Sequence, residues 1–281
     1  MTEITDIEDD KLQHKYQKLK QILTSWESAL VAFSAGVDST FLLHTAREVI
    51  GRNKVLAVTA DSPIRSRAKL KASRKLAKNF GVKHRVIEME ELTDANFSRN
   101  ESDRCYHCKH ILYGRLLEIA QEHDIEEVLD GTNADDVQGS HRPGYQVLQE
   151  LAIKTPLKSA GLLKQEIREL SRQRDLPTWN QPSDTCYATR VDYDLDLDRE
   201  LIEQVRKLES LISASMEFEQ LRVRIHDSST VRIEVLPENL EKIMNQRQKI
   251  ITAAREMGYN YITLDLAGYR QGSINEKNKP E

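Results

Sequence analysis

Residues 29–43 read ALVAFSAGVDSTFLL, an apolar run that stops at a short segment of small and hydroxyl residues before a second apolar run begins. This pattern predicts a buried strand, a tight loop and the first turn of a helix. Backbone N–H groups in such a loop form an anion site, and Gly36 lets a phosphate approach the backbone closely. A serine- and glycine-rich turn that only caps the helix is the alternative, because the Walker lysine is absent.

Strands and helices alternate on the C-terminal side of this stretch. Strands are predicted from apolar runs at 29–33, 55–59, 84–88 and 127–130, and helices from the patterns at 39–50, 65–80, 108–123 and 164–174. This alternation is typical of an α/β fold, in which helices flank a parallel sheet. After residue 190 the pattern changes to a β-β-α-β unit with a helix at 238–257, which predicts a smaller α+β domain at the C-terminus.

The predicted domain organisation follows from these patterns. We expect four segments: an N-terminal helix (1–28), the α/β domain (29–194), the smaller domain (195–273) and a disordered tail (274–281).

Composition is typical of a soluble globular protein. Of the 281 residues, 39% are hydrophobic and 31% are charged, and the formal net charge of −4 argues against general affinity for nucleic acid. No apolar run approaches the ~18 residues that suggest a membrane span. The polar, acidic N-terminus lacks the order of a signal peptide. We therefore expect a cytoplasmic protein without a membrane partner.

A second loop follows the strand predicted at 127–130. It contains Gly131, Thr132, Asn133, Asp135 and Asp136. Because α/β sheets bind ligands at the carboxyl ends of their strands, this loop and the loop after residue 33 are expected to lie at one site. Asp38 would repel a phosphate unless it held Mg²⁺ or capped the loop. Asp135 or Asp136 would also hold Mg²⁺, and an Asx turn is the alternative reading of this acidic pair.

The chain has three cysteines, Cys105, Cys108 and Cys186. An odd number without an export signal is poor material for a disulfide framework. Three interpretations remain open. The thiols hold a structural zinc with a histidine such as His110, they are inert, or they bind a [4Fe–4S] cluster that keeps one iron open.

Two arginines in the smaller domain suggest an anion site. Arg222 and Arg224 lie two residues apart on a predicted strand and therefore on one face. Two guanidinium groups on one face suit a phosphate, and Arg190, close to Cys186, is a further candidate. The alternative is a solvated outer face of the sheet, because Arg232 repeats the pattern.

The segment SAGVDST (34–40) resembles the SGGVDS loop of the PP-loop, or adenine nucleotide α-hydrolase-like, superfamily. Such enzymes cleave ATP between its α and β phosphates and release pyrophosphate. Ala35 stands where that loop has glycine, and we expect the alanine to tighten the loop or to forbid a positive φ there.

Longer segments resemble the LarE family, whose members are ATP-dependent sulfur insertases of nickel-pincer nucleotide biosynthesis. The resemblance is carried by TADSP (59–63), DRCYHCK (103–109), VLDGTNADDVQGSHRPG (128–144), the stretch 155–191 and TLDLAGYRQGS (263–273). It implies that the enzyme adenylates a carboxylate of a pyridinium dicarboxylate mononucleotide and converts it to a thiocarboxylate. It also implies a homo-oligomer.

The resemblance implies roles for individual residues. An ATP and Mg²⁺ site would include Ser34, Gly36, Val37, Asp38, Ser39, Thr59, Gly131, Thr132 and Asp135. The substrate phosphate would lie on Arg190, Arg222 and Arg224. Asp38 and Cys186 would be catalytic.

Cys186 matches the position in the family that provides sulfur. In some members this cysteine is sacrificed and becomes dehydroalanine, whereas members with three cysteines are thought to use a cluster. We therefore expect a [4Fe–4S] cluster on Cys105, Cys108 and Cys186, with sacrifice of Cys186 as the alternative. The sulfur donor is left open. A tRNA thiolase of the same superfamily is a further alternative, against which the net charge of −4 argues.

Overall fold

The computed structural model describes residues 2–137, 143–182, 184–193, 195–214 and 218–270, with side chains from residue 10 onward. The chain forms two compact units. The first unit consists of Met1–Ser62, Arg67–Met89 and Cys105–Ser183, and the second of Pro63–Ser66, Glu90–Arg104 and Asp184–Glu281. The predicted domain boundaries stay a prediction. The predicted disordered tail (274–281) lies outside the described residues.

The strands of the described chain are β1 (Ala29–Ala32), β2 (Val55–Asp61), β3 (Lys83–Glu88), β4 (Glu127–Leu129), β5 (Leu221–Ile225), β6 (Thr230–Val235) and β7 (Tyr261–Leu264). The α-helices are α1 (Thr2–Thr24), α2 (Val37–Ala46), α3 (Arg67–Phe80), α4 (Ala95–Ser98), α5 (Arg104–Glu122), α6 (Pro143–Glu150), α7 (Pro156–Ser159), α8 (Lys164–Arg172), α9 (Arg199–Ser213), α10 (Leu240–Asn245) and α11 (Arg247–Glu256). None of these described helices is long and apolar enough to cross a membrane.

The first unit is built on a parallel sheet with the strand order β3-β2-β1-β4. β1 lies in the interior, paired with β2 on one side and with β4 on the other. A parallel strand covered on both faces must be apolar throughout, which explains the continuous run in the sequence. The predicted α/β class with a helix-flanked parallel sheet is confirmed.

Side chains of β1 alternate between two apolar layers. Ala29 and Val31 pack in a cluster with α1, α2 and α8, whereas Leu30 packs in a second cluster with α5 and α6. Burial of apolar surface on both faces stabilises the sheet by roughly 25 cal/mol per Å². This rigid central strand carries the loop that follows it.

The second unit contains a three-stranded sheet with the order β5-β6-β7. β5 and β6 pair antiparallel, and β6 and β7 pair parallel. The predicted turn after β5 is closed by a hydrogen bond of 3.1 Å from the His226 N–H to the Thr230 carbonyl. α9 buries the side chains of Ile202, Val205, Leu208 and Ile212. This spacing of three and four residues is that of an amphipathic helix against a core.

Some helix boundaries differ from the sequence prediction. α5 begins at Arg104, before the predicted residue 108, so Cys105 and Cys108 lie on its first turns. Acidic residues at 101 and 103 precede this helix, where negative charge favours a helix start. The predicted helix at 39–50 ends as an α-helix at Ala46 and continues as a π-helical segment, Arg47–Gly51. The predicted helix at 238–257 is interrupted at Gln246, where the backbone leaves helical geometry.

Candidate active site

The loop between β1 and α2 is held by hydrogen bonds among its own serines. The Ser34 and Ser39 hydroxyls lie 3.0 Å apart, and the Ser34 N–H donates to the Ser39 hydroxyl at 3.3 Å. The Gly36 N–H donates to the Ser34 hydroxyl at 3.3 Å. A Cβ on Gly36 would come within 3.3 Å of that same hydroxyl. These bonds fold the loop into a concave turn at the start of α2, as an anion site requires.

Ala35 corrects one expectation about this loop. Its φ is +55°, so the alanine adopts the left-handed conformation that it was expected to forbid. An L-residue in this conformation costs roughly 1–2 kcal/mol relative to the usual helix region. Its methyl group is fully buried in the apolar cluster of the first unit, which offsets part of this cost.

Asp38 is neutralised by a lysine that the sequence analysis did not identify. The Lys164 ammonium, at the first residue of α8, donates to the Asp38 carboxylate in a short ion pair. Asn133 donates to the other Asp38 oxygen at 3.4 Å. The ion pair therefore gives Asp38 a third role besides Mg²⁺ binding and loop capping. A lysine at the first residue of a helix is unfavourable, because its charge opposes the helix dipole. This unusual position is the feature of the sequence that indicates a role for Lys164 outside its own helix.

The loop after β4 packs directly against the start of α2. A Cβ at Gly131 would lie 3.1 Å from the Ser39 nitrogen and 3.3 Å from the Ser39 Cα, so only glycine fits without a shift. This contact brings the two predicted loops together.

The second loop contains an Asx turn, which was the alternative to a metal site, but the side chain that makes it is that of Asn133. The Asn133 side-chain oxygen accepts from the Asp135 and Asp136 N–H groups at 2.9 and 3.1 Å. The Asp135 carboxylate accepts from the Lys164 N–H at 2.6 Å and so caps α8. Asp135, Lys164 and Asp38 are thus neighbours at one site, and the turn does not remove the carboxylates from it.

A partly buried carboxylate anchors the second loop. Asp130 accepts from the Thr132 N–H at 2.7 Å and from the Thr132 and Tyr113 hydroxyls. Burial opposes ionisation of this group, but the charge of Lys109 and the hydrogen bonds together hold its pKa below the ordinary value. Thr132, predicted as an ATP residue, is therefore fixed by a charged anchor beneath the loop.

The Thr59 hydroxyl contacts both neighbouring strands of the sheet. Its hydroxyl donates to the Phe33 carbonyl at 2.7 Å and lies 2.9 Å from His84 Nε2. The side chain is buried near the carboxyl end of β2, and it links β1 to β3 across that strand. Its predicted contact with ATP stays a prediction.

Cys105 and Cys108 lie one turn apart on α5. Residues three apart share a helix face, so both thiols suit two ligands of one metal or cluster. None of the three cysteines, all of which are described, forms a disulfide, and Cys105 is exposed. Cys186 belongs to the second unit. Within the described ranges, no group of three or more histidine, cysteine, aspartate or glutamate side chains is arranged to hold a metal ion. The three-thiolate set stays a prediction.

The predicted phosphate arginines are buried in the second unit. Arg222 donates to the Leu221 carbonyl at 2.7 Å and lies over the Tyr269 ring. Burial lowers its pKa, the neighbouring Arg190 charge acts in the same direction, and Glu209 opposes both. Arg224 forms an ion pair of 3.0 Å with the fully buried Glu234. The alternative of a solvated outer face is therefore excluded for Arg222 and Arg224.

Arg190 shares this arginine cluster and is 2% exposed. Its guanidinium contacts the carbonyl of Cys186 at 3.0 Å and the Glu209 carboxylate at 3.1 Å. The structure thus brings three predicted arginines and Cys186 into one compact unit.

Comparison with known proteins gives the family. A family model described as NAD synthase matches residues 8–114. An uncharacterised protein of Synechocystis sp. is 32% identical over 94% of this chain and 98% of its own length. The pyridinium-3,5-bisthiocarboxylic acid mononucleotide synthase of Lactiplantibacillus plantarum is 30% identical over 94% of this chain and 95% of its own length. The chain belongs to the LarE family.

Membership of the LarE family confirms two predictions. The PP-loop fold is confirmed by the parallel sheet and by the NAD synthase match over the first loop. The enzyme class, a PP-loop ATP-dependent sulfurtransferase, is confirmed by the similarity to the Lactiplantibacillus plantarum synthase along nearly the whole chain. A third protein, from Methanocaldococcus jannaschii, is 25% identical over 86% of the chain.

Proposed function

We propose that this LarE-family enzyme adenylates a carboxylate of a pyridinium carboxylate mononucleotide, releases pyrophosphate and inserts sulfur to give a thiocarboxylate. The observation that carries the proposal is that the serine loop, Gly131 and the Asp38–Lys164 ion pair lie together at one site. The chain that forms this site is similar to the Lactiplantibacillus plantarum synthase over 94% of its length. The serine loop binds anions, and the matching relative makes a thiocarboxylate mononucleotide by name.

The first step makes a poor electrophile reactive. A substrate carboxylate oxygen attacks the α-phosphorus of ATP, the bond to the β-phosphate oxygen breaks, and pyrophosphate leaves. Ser34, Gly36 and Ser39 supply the loop that receives the phosphates, and Lys164 supplies positive charge beside it. Preorganised donors of this kind stabilise the charge that develops on the leaving group.

Mg²⁺ fits the carboxylates at this site. Mg²⁺ prefers oxygen ligands and is usually held by one or two carboxylates together with substrate phosphates. Asp38 and Asp135 supply two such groups, bridged by the side chain and N–H of Lys164. In this proposal Asp38 and Asp135 would hold Mg²⁺, which would neutralise charge on the phosphate oxygens, and the Lys164 ammonium would turn from Asp38 towards pyrophosphate.

The second step transfers sulfur to the acyl adenylate. Cys105 and Cys108, on one helix face, together with Cys186 would hold a [4Fe–4S] cluster. Such a cluster would leave one iron without a thiolate ligand and would supply sulfide there as the nucleophile. AMP then leaves from the acyl carbon. The donor of this sulfide is left open.

Sacrifice of Cys186 is the second route within the same proposal. Its thiolate attacks the acyl carbon, AMP leaves and a thioester forms. Removal of the Cα proton then breaks the Cβ–S bond, which leaves dehydroalanine on the chain and thiocarboxylate on the product. The two routes differ in whether the chain loses its own sulfur.

The substrate phosphate is assigned to the arginine cluster of the second unit. Arg222 is the strongest candidate in this cluster, because its neighbours include the Arg190 charge and the Tyr269 ring. Buried guanidinium groups favour a dianionic phosphate over water.

Pyrophosphate release tests the proposed reaction. The protein is incubated anaerobically with ATP, Mg²⁺ and either a pyridinium dicarboxylate mononucleotide or unmodified tRNA. Release that depends on the mononucleotide supports the proposal. Pyrophosphate release that depends on tRNA instead identifies a tRNA thiolase. If neither compound stimulates pyrophosphate release, the proposed substrate is contradicted.

Metal analysis separates the two sulfur routes. About four irons and four sulfides per chain, lost together in Cys105→Ala, would support the cluster. Zinc without sulfide would make the cysteines structural. A metal-free chain whose intact mass falls by the mass of H₂S after one turnover would establish sacrifice of Cys186.

A further inference from the structure

The Arg190 guanidinium is buried against the turn that contains Cys186. Arg190 is the largest fully buried side chain in the described chain, with 2% of its surface exposed. Its Nη1 donates to the Thr185 carbonyl at 2.8 Å, the Cys186 carbonyl at 3.0 Å and the hydroxyls of Thr185 and Thr189 at 2.6 and 3.0 Å. Four acceptors around one nitrogen leave it little reach towards a ligand.

Thr189 closes the same turn from the other side. Its hydroxyl donates to the Cys186 carbonyl at 2.7 Å and also accepts from Arg190. The Cys186 carbonyl therefore receives two donors, one neutral and one charged. Hydrogen bonds from a charged donor are roughly twice as strong as neutral ones. The backbone of Cys186 is fixed by these bonds before any ligand binds.

Glu209 connects this turn to the rigid elements of the second unit. One oxygen of Glu209, on α9, accepts from Arg190 Nε at 3.1 Å and from the Val223 N–H of β5 at 3.0 Å. Arg224, also on β5, donates to the Thr189 carbonyl at 2.5 Å. The turn is thus held by one helix and one strand.

The ring of Tyr187, the residue after Cys186, adds a third anchor. It lies between the guanidinium groups of Arg190 and Arg206, at 5.4 and 5.5 Å from the ring centre. The Tyr187 N–H donates to the Ile64 carbonyl at 2.8 Å. Both contacts are attractive because the ring face carries partial negative charge, so this ring also restrains the turn.

We propose that Arg190 is the positioning residue of Cys186, and that it is not a ligand of the substrate phosphate. A phosphate ligand must present N–H groups to the substrate, whereas Nε and Nη1 of Arg190 already donate to Glu209 and to the Cys186 turn, and Nη2 forms an ion pair of 3.8 Å with the Asp184 carboxylate. Arg190 and Glu209 fix where the Cys186 backbone stands, and with it the range over which the thiol moves. We call the hydrogen bonds of Arg190, Thr189 and Glu209 around the Cys186 turn the Cys186 clamp. The reaction that uses this thiol rests on the proposed function, but the clamp itself does not.

The test measures the reactivity of the Cys186 thiol in the full-length protein without substrates. Iodoacetamide labelling is followed by peptide mass spectrometry, which separates Cys186 from Cys105 and Cys108, over a range of pH. The variants are Arg190→Lys, Thr189→Val and the conservative Thr189→Ser. Arg232→Lys is the matched control, because Arg232 is in the same unit and pairs with Glu234 and Asp265, not with the Cys186 turn.

We expect Arg190→Lys and Thr189→Val to label Cys186 about fivefold faster, since loss of one such hydrogen bond shifts an opening equilibrium by that factor. Thr189→Ser and Arg232→Lys should label at the wild-type rate. Thr189→Val keeps the test decisive if Arg190→Lys does not fold. Wild-type labelling in both folded variants would overturn the clamp.

Steady-state kinetics separate a positioning residue from a phosphate ligand. We expect Arg190→Lys to lower kcat about tenfold while KM for the mononucleotide stays within about twofold, as for a group that orients the reacting atoms. A rise in KM of about tenfold with unchanged Cys186 labelling would make Arg190 a phosphate ligand instead. If the wild type releases no pyrophosphate with any carboxylate, the proposed function fails. The labelling result still shows whether Arg190 and Thr189 hold the Cys186 turn.

Discussion

The pairing of Asp38 with Lys164 shows how a carboxylate can stand inside a phosphate-binding loop. Asp38 follows from the loop motif, but Lys164 is 126 residues away in the sequence. Nothing local predicts that pair, because the contact exists only after α8 packs beside α2. The position of a lysine at the start of α8 is the one local signal that it serves something other than its own helix.

Replacement of Lys164 tests its role at the ATP site. We expect Lys164→Met to weaken ATP binding about tenfold or more, because the charge-assisted contact of its ammonium with the phosphates is lost. Isothermal titration with MgATP measures this. Lys154→Met is the control, since Lys154 pairs with Glu127 at the other end of β4. Equal affinities of Lys164→Met and wild type would remove Lys164 from the site.

The arginine residues show where sequence reasoning reaches its limit. The period of a strand correctly placed Arg222 and Arg224 on one face. Burial and partner choice were not readable, because Glu234, Glu209 and the Cys186 turn come from distant segments. Binding of the substrate phosphate therefore stays a prediction for Arg222 and Arg224. For Arg190 it is replaced by the proposal that this residue positions Cys186.

At the scale of elements, the close contact between the second loop and α2 explains why residue 131 is glycine. We expect Gly131→Ala to lower the free energy of unfolding by about 1–3 kcal/mol, because its Cβ would press on the backbone of Ser39 and force it to shift. Gly114→Ala, inside α5 with open space around the new Cβ, should instead raise it by about 1 kcal/mol. Urea unfolding of both variants measures the difference, and equal effects would contradict the contact.

Asp130 should make stability depend on pH at the acidic end. Its pKa in the folded chain lies below the ordinary value of 3.8, so the stabilisation is present above that value and is lost as pH falls through the folded pKa. We expect Asp130→Asn to cost about 2 kcal/mol at pH 7 and progressively less at lower pH. Urea unfolding at several pH values measures this, with exposed Asp124→Asn as the control. A cost that is independent of pH would contradict the ionised anchor.

Helices and strands were predictable where their sequence pattern alone determines them. The strands of the first unit were found because a strand buried on both faces is apolar throughout. Helix ends were less predictable. The start of α5 at Arg104 and the break at Gln246 depend on backbone geometry and packing rather than on a proline or glycine at those positions.

At the scale of the molecule, each compact unit is assembled from separate pieces of the chain. Segments 63–66 and 90–104 join the second unit although they lie between parts of the first. A linear division by composition cannot find such an arrangement, since the long-range contacts that define it leave no mark on local patterns. The homo-oligomer and the cytoplasmic location stay predictions.

The central claim is that this chain replaces a carboxylate oxygen of a mononucleotide by sulfur at the expense of ATP. The most direct measurement is mass spectrometry of the small molecules after anaerobic incubation with ATP, Mg²⁺, the pyridinium dicarboxylate mononucleotide and, for the cluster route, sulfide. The account predicts a product with one oxygen replaced by sulfur, together with equal amounts of AMP and pyrophosphate, and no product from Asp38→Asn. AMP and pyrophosphate without any sulfur-containing product would contradict it.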